Sequence, residues 1–136
     1  LAREPLAKSA SGGELSRISL AVAVVNPASM PATVIFDEAD VGIGGAVAAK
    51  VGEKFQMLAR DHQVLCITHL PQIAGFADHH WKVEKVATLG SVASSVRCLN
   101  QEERIAELAR MVSGVNITSA EKHVAQNLIQ HGNLKK

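Results

Sequence analysis

The sequence predicts an α/β domain: a layered, partly parallel sheet with flanking helices, joined by a separate antiparallel strand pair. Three observations point to it. Thr33-Val34-Ile35-Phe36 and residues 63–68 are short, largely aliphatic runs, the pattern of strands buried on both faces of a helix-covered parallel sheet. Helical periodicity precedes each run, and strand–helix–strand alternation is how chains build parallel sheets. Residues 81–86 and 94–99 instead alternate, or nearly so, across a loop containing Gly90, which reads as an antiparallel pair.

Composition sets the limits. A chain of 136 residues is long enough for one domain with a core, and 47% hydrophobic residues exclude general disorder. Aromatics are only 3%, so the core is expected to be aliphatic. A net charge of +1 gives no bulk attraction to nucleic acid. Cys66 and Cys98 are too few for a disulfide framework, and reduced thiols in a cytoplasmic setting are expected. No signal peptide is visible, and no apolar run is long enough to cross a bilayer, so no membrane partner is expected. The chain opens Leu1-Ala2-Arg3 without an initiator Met and is expected to be a piece of a longer one.

Residues 1–10 read as an irregular lead-in, with Pro5 opposing early helix. Ser11 and Glu14 then have the spacing of a capping box, and a helix is expected from Gly12 to Val25. It is apolar nearly all round, which predicts burial on more than one side. Asn26-Pro27 and Met30-Pro31 end it. After the first strand, Val41-Gly42-Ile43-Gly44-Gly45 is a glycine-rich turn. A helix over 46–60 follows, with Val47, Val51, Phe55 and Leu58 on one face. Pro71 suits the first turn of a short helix over 71–77.

Beyond the antiparallel pair, 101–113 is amphipathic. Ile105, Leu108, Ala109 and Val112 point inward, Glu102, Glu103, Arg104 and Glu107 form a solvated face, and Gly114 terminates. Thr118 and Glu121 form another capping box for a helix that carries Val124, Ala125, Leu128 and Ile129 and stops at Gly132. Lys135 and Lys136 read as a tail.

The chemistry-bearing residues sit at element ends. At Ser11-Gly12-Gly13-Glu14-Leu15-Ser16-Arg17 two glycines leave the helix start bare, so its N–H groups and dipole can receive an anion. Taken alone, the same residues also describe an ordinary capped helix. Asp37 and Glu38 close the first strand, at the edge where open α/β sheets collect ligands. On a strand their side chains diverge, so one can hold a hydrated Mg²⁺ while the other addresses a water. His69 ends the second strand in the same way and in register can reach the same crevice. The six histidines and two cysteines include no Cys-x-x-Cys or His-x-x-x-His, so a zinc site is not expected.

Together these stretches resemble ABC-type ATPases. Ser11 to Arg17 is similar to their signature motif, Val34-Ile35-Phe36-Asp37-Glu38 to the Walker B strand with its catalytic Glu, Asp40 to Gly45 to the D-loop, and Thr68-His69 to the switch His. The wording of Ser-Gly-Gly-Glu-Leu-Ser-Arg, Phe-Asp-Glu-Ala-Asp-Val-Gly-Ile-Gly-Gly and Thr-His-Leu-Pro-Gln-Ile-Ala resembles the C-terminal head segment of the RecN family of bacterial DNA repair proteins, which is similar to SMC proteins. Ala39 departs mildly from that family's more usual Val.

The resemblance implies the following. Asp37 helps hold Mg²⁺ through water, Glu38 is the general base or orients the water, and His69 contacts the γ-phosphate. Ser11, Gly12 and Gly13, with Glu14 completing the helix entrance, hold the γ-phosphate of ATP bound to the opposite head. Asp40 lies at the interface between paired heads. No Gly-x-x-x-x-Gly-Lys-Ser/Thr is present, so the phosphate cradle is missing. The chain is then a single partial domain, 1–136: the C-terminal half of a split head whose phosphate loop and coiled coil lie elsewhere.

Its expected partners are that N-terminal half, a second head and, through the whole protein, DNA. The setting is the bacterial cytoplasm, at the nucleoid. Without its other half the segment is expected to be inactive, to hold ATP and Mg²⁺ weakly or not at all, and to associate along the unpaired edge of 63–68. Two other readings are an ABC transporter motor, which the sequence of Asp40 to Gly45 disfavours, and a non-catalytic, nucleotide-dependent dimerisation module, which Glu38 and His69 disfavour.

Overall fold

Ser11 starts the first helix as the sequence leads one to expect. In the computed structural model, which describes residues 10–88, 91–114 and 116–135, its hydroxyl accepts from Glu14 N–H while the Glu14 carboxylate accepts from Ser11 N–H. Helix α1 runs Gly12–Val25, and a 3₁₀ turn over Pro27–Ser29 leads into β1, Thr33–Phe36. Then come α2 (Gly45–Leu58), β2 (Gln63–Cys66), a single turn α3 (Pro71–Ala74), β3 (Trp81–Thr88), β4 (Ser91–Cys98), α4 (Gln101–Ser113) and α5 (Ser119–Leu134). The lead-in over 1–9, Gly90 and Lys136 lie outside the described residues.

The mixed α/β class is as expected. Strands β1 and β2 pair in parallel, with Val34 opposite Val64 and Phe36 opposite Cys66. Strands β3 and β4 form the antiparallel pair, Trp81 opposite Cys98 and Val83 opposite Val96, and both are longer than their alternation suggested.

Burial on both faces is not what the strands show. Val34, Phe36, Val64 and Cys66 pack against Leu20 and Ala23 of α1 and Ala48, Val51, Phe55 and Leu58 of α2. The opposite face is open, with Ile35 66%, Leu65 46% and Ile67 59% exposed. Both helices serve one face, and no described element covers the other. Helix α1 is correspondingly buried along one stripe, Gly13, Leu20 and Ala23, while Ile18, Val22 and Val25 are exposed. In α2, Ala48 takes the inward place expected of Val47.

A second cluster joins Ala74 to Leu108 and Ala109 of α4 and Ala125 and Ile129 of α5. Helix α3 links the two cores, with Ile73 in the first and Ala74 in the second. Gln56 ties them further by donating to the carbonyls of Gly132, at 2.9 Å, and Phe76. Gly132 does not stop α5. It is buried where the position of a Cβ would fall 2.5 Å from the Gly75 carbonyl oxygen, so its missing side chain lets the helix cross that backbone.

The solvated face expected of α4 is also corrected. Arg104 and Glu107 are each only 8% exposed. Arg104 donates to the carbonyls of Ala74 and Gly75, and Glu107 accepts from Lys82 and Arg110. Helix α4 docks polar groups under the hairpin as well as apolar ones under α5, while Val112 is exposed.

Candidate functional site

The parallel register puts the C-terminal ends of β1 and β2 side by side. Ile67 N–H donates to Phe36 O at 2.9 Å, carrying the pairing one residue past the strands. Asp37 and Glu38 therefore leave the sheet next to Thr68 and His69. The helix start at Ser11 closes on the same end, because Ser16 Oγ donates to Asp37 O at 2.5 Å.

Arg17 extends that grip. Its Nη1 donates to Ala39 O at 3.3 Å and Val41 O at 2.8 Å. Segment 37–41 is thus held by its carbonyls to the first turns of α1. Gly13 lies in the seam, where a Cβ would fall 2.9 Å from Glu38 O and 3.1 Å from Val41 Cβ. It is buried, so it admits the chain's own backbone, whereas the sequence had suggested that it admits a ligand. Gly12 is exposed, and a Cβ there would meet only the Glu38 carboxylate. Glu14 is spent on the capping box, whose hydrogen bonds from Ser11 hold its carboxyl below the usual range.

Asp37 and Glu38 are both exposed. Asp37 Oδ1 accepts from Glu38 N–H at 2.9 Å. Glu38 has φ +58°, left-handed backbone that a residue with a Cβ enters at a cost. That turn sends its carboxylate back over Gly12. The next turn closes with Val41 N–H donating to Glu38 O.

Asp40 points inward. Its Oδ2 accepts from Thr68 Oγ1 at 2.6 Å and from His69 N–H at 2.8 Å, and lies 2.9 Å from His69 Nδ1. Burial alone would raise this carboxyl, but the Thr68 and His69 hydrogen bonds and the adjacent imidazole outweigh it and hold the group below its ordinary value. Asp40 is 4% exposed and the His69 side chain 72%, so the pair has a buried anchor and an open ring. Cys66 lies beneath. Burial, with the fields of Asp40 and Asp37, pushes its thiol up to about 12, so it stays protonated at neutral pH.

No family model matches the chain. Curated relatives do. It is 48% identical over 128 residues to the DNA repair protein RecN of Xylella fastidiosa strain 9a5c, covering 93% of this chain and 23% of the relative. It is 51% identical over 124 residues to that of Deinococcus radiodurans strain R1, covering 91% and 22%. To that of Mycobacterium tuberculosis strain H37Rv it is 46% identical over 130 residues, covering 93% and 22%. The chain belongs to the RecN family. It corresponds to a C-terminal segment and spans between a fifth and a quarter of the length of these RecN relatives.

Within this RecN segment the structure gathers every residue that the sequence singled out: Ser11, Gly12, Gly13 and Glu14 on α1, Asp37, Glu38 and Asp40 after β1, and His69 after β2. Ser16, Arg17 and Thr68 stand inside the motifs that the sequence singled out, but their role in holding the arrangement together was not read from it. Arg17 carried a usable signal, a cation one helical turn past two glycines; Ser16 and Thr68 bind partners 21 and 28 residues away and carried none. Among the described residues no group of three or more His, Cys, Asp or Glu could hold a metal ion, and no helix is long and apolar enough to cross a membrane.

Proposed function

We propose that this segment is the C-terminal half of a split ABC-type ATPase head, similar to SMC heads. In the whole protein that head hydrolyses ATP during DNA double-strand break repair and recombination, in the bacterial cytoplasm at the nucleoid. One observation carries the reading: three stretches distant in sequence, 11–17, 37–41 and 68–69, are bound to one another at a single end of the β1–β2 pair. The relatives are named as DNA repair proteins, which supplies the process.

The residues suit ATP and Mg²⁺. Asp37 and Glu38 are exposed carboxylates just beyond the end of β1, and a hydrated Mg²⁺ asks for one or two such ligands and several waters. Bound there, Mg²⁺ would neutralise charge on phosphate oxygens. Asp37 holds the hydrated ion, and Glu38 accepts from the attacking water and orients it. His69 presents its open ring to the γ-phosphate. Ser11, Gly12 and Gly13 form the helix start that faces the nucleotide of a second head. Ser11 and Gly12 are its accessible members, and Gly13 seats the start on segment 37–41.

The floor of this pocket belongs to the N-terminal half of the same polypeptide. Ile35, Leu65 and Ile67 form an uncovered apolar face, and among the described residues β2 pairs only with β1. The relatives carry more than three-quarters of their length outside the matched region.

The full-length protein tests the reading. Glu38→Gln is expected to bind ATP normally and to lose hydrolysis by about 10²- to 10⁴-fold; near-normal turnover removes Glu38 from the reaction. Tight, Mg²⁺-dependent ATP binding by residues 1–136 alone, measured by calorimetry, would overturn the need for the other half.

A further inference from the structure

The resemblance places Asp40 between two heads, yet the structure puts its carboxylate inside its own chain. Three contacts converge on one of its oxygens: Thr68 Oγ1 at 2.6 Å, His69 N–H at 2.8 Å and His69 Nδ1 at 2.9 Å. Thr68 Oγ1 in turn accepts from Leu70 N–H at 3.0 Å, which fixes the hydroxyl proton on the Asp40 side. The turn that carries His69 is therefore clamped from three directions, and the acid doing the clamping is buried.

An ionised carboxylate accepts and cannot donate. A neutral imidazole facing it at Nδ1 must carry its proton on Nδ1, which leaves Nε2 bare. A free histidine ring has no such constraint. We propose that Asp40 is a positioning residue for His69: it fixes the ring as the Nδ1–H tautomer and turns Nε2 outward to the end of the β1–β2 pair. Nε2 is then an acceptor while the ring is neutral and a second donor once the ring is charged. Only the charged ring has an Nε2 proton to donate to a phosphate oxygen, the contact proposed above for His69; the neutral ring offers Nε2 as an acceptor alone. The geometry of Asp40 and His69 stands by itself; what Nε2 acts on rests on the ATPase reading.

Two measurements on the full-length protein separate these levels. The first uses nitrogen NMR of the protein labelled at histidine imidazoles, above the pH at which the rings are charged, with His69 assigned by its loss in His69→Gln. The wild-type ring is expected to be protonated at Nδ1, and Asp40→Ala, which leaves Nδ1 without an acceptor, to move the proton to Nε2. Thr68→Val, which keeps the carboxylate beside the ring, is expected to retain Nδ1–H. A wild-type His69 protonated at Nε2 overturns the proposal even if Asp40→Ala fails to fold.

The second is steady-state ATP hydrolysis. Asp40→Ala is expected to lower kcat by about 10- to 100-fold, the size of loss seen when the outer partner of a metal-bound histidine is removed, with ATP affinity unchanged. Asp40→Ala combined with His69→Gln is expected to be no worse than His69→Gln alone. Additive losses in that pair would overturn the positioning role. A wild-type protein that holds the Nδ1–H tautomer but hydrolyses no ATP would sink the ATPase reading and leave the Asp40–His69 assignment standing.

Discussion

Ser16 Oγ donates to the carbonyl of Asp37 at 2.5 Å, joining the second turn of α1 to the residue that follows β1. Arg17 continues the seam to Ala39 and Val41. The helix start and the carboxylate-bearing turn are therefore parts of one piece of structure. Anything that displaces α1 also displaces Glu38.

Removing the seam should cost stability first. Ser16→Ala loses one neutral hydrogen bond and is expected to destabilise by about 1 kcal/mol. Arg17→Ala loses two charge-assisted bonds, both from Nη1, and is expected to cost about 1.5–3 kcal/mol, with Arg17→Lys recovering part of it, because an ammonium also offers several donors from one nitrogen but on a shorter side chain. Denaturant unfolding of the full-length protein checks both, and equal stability of Arg17→Ala and wild type would show that the seam is idle.

The two glycines of α1 should separate cleanly. Gly13→Ala drives a methyl into the Glu38 carbonyl and Val41 Cβ, neither of which can move aside freely, and is expected to destabilise by about 1–3 kcal/mol. Gly12→Ala meets only the far end of the Glu38 side chain, so the unfolding midpoint should stay near wild type while the carboxylate is displaced and hydrolysis falls. Parallel melts and ATPase assays of the two variants read this out, and the reverse pattern would contradict the packing described for α1.

Glu38 should show a trade between stability and activity. Its φ of +58° costs a β-carbon-bearing residue roughly 1–2 kcal/mol. Glycine relieves that strain but loses more entropy on folding. Glu38→Gly is therefore expected to be about 0.5–1 kcal/mol more stable and inactive in hydrolysis. A clear loss of stability in a chemical melt would mean that the side chain makes contacts worth more than the strain.

Acid should loosen the hairpin from α4. The Glu107 carboxyl is held below its ordinary value, chiefly by the Arg110 hydrogen bond, against burial and with help from Lys82. A carboxyl depressed in the fold contributes stability that is fully present above its unfolded value and is lost as the pH falls through its folded value. The loss is expected to begin near the unfolded glutamate value of about 4.3 and to continue below it. Glu107→Gln should flatten that part of the pH–stability curve and cost about 1–2 kcal/mol at neutral pH, a figure reduced for the solvent around Arg110. A curve unchanged by Glu107→Gln would assign the acid sensitivity to other carboxyls.

Local features were legible in the sequence because their partners lie within one helical turn. The capping boxes of Ser11 with Glu14 and Thr118 with Glu121 are i, i+3 devices, and both are present. So was the parallel pair, since buried aliphatic runs flanking a helix leave few other topologies. Burial was harder to read. Val47 and Ala48 are adjacent on their helix, and which of them turns inward depends on where the neighbouring layer lies, as does the burial of Arg104 beside the inward Ile105.

Short-range spacing in the sequence was enough to set the order of the elements, where the helices begin, and which three stretches are candidates to meet at one end of the sheet. Only the tertiary structure decided that Asp40 turns inward to His69 while Asp37 and Glu38 stay in the open, and that Gly13 and Gly132 serve the chain's own close packing. The reason is physical: these choices depend on contacts spanning 20 to 60 residues of chain, which exist only once Phe36 has paired beside Cys66 and α5 has crossed Gly75.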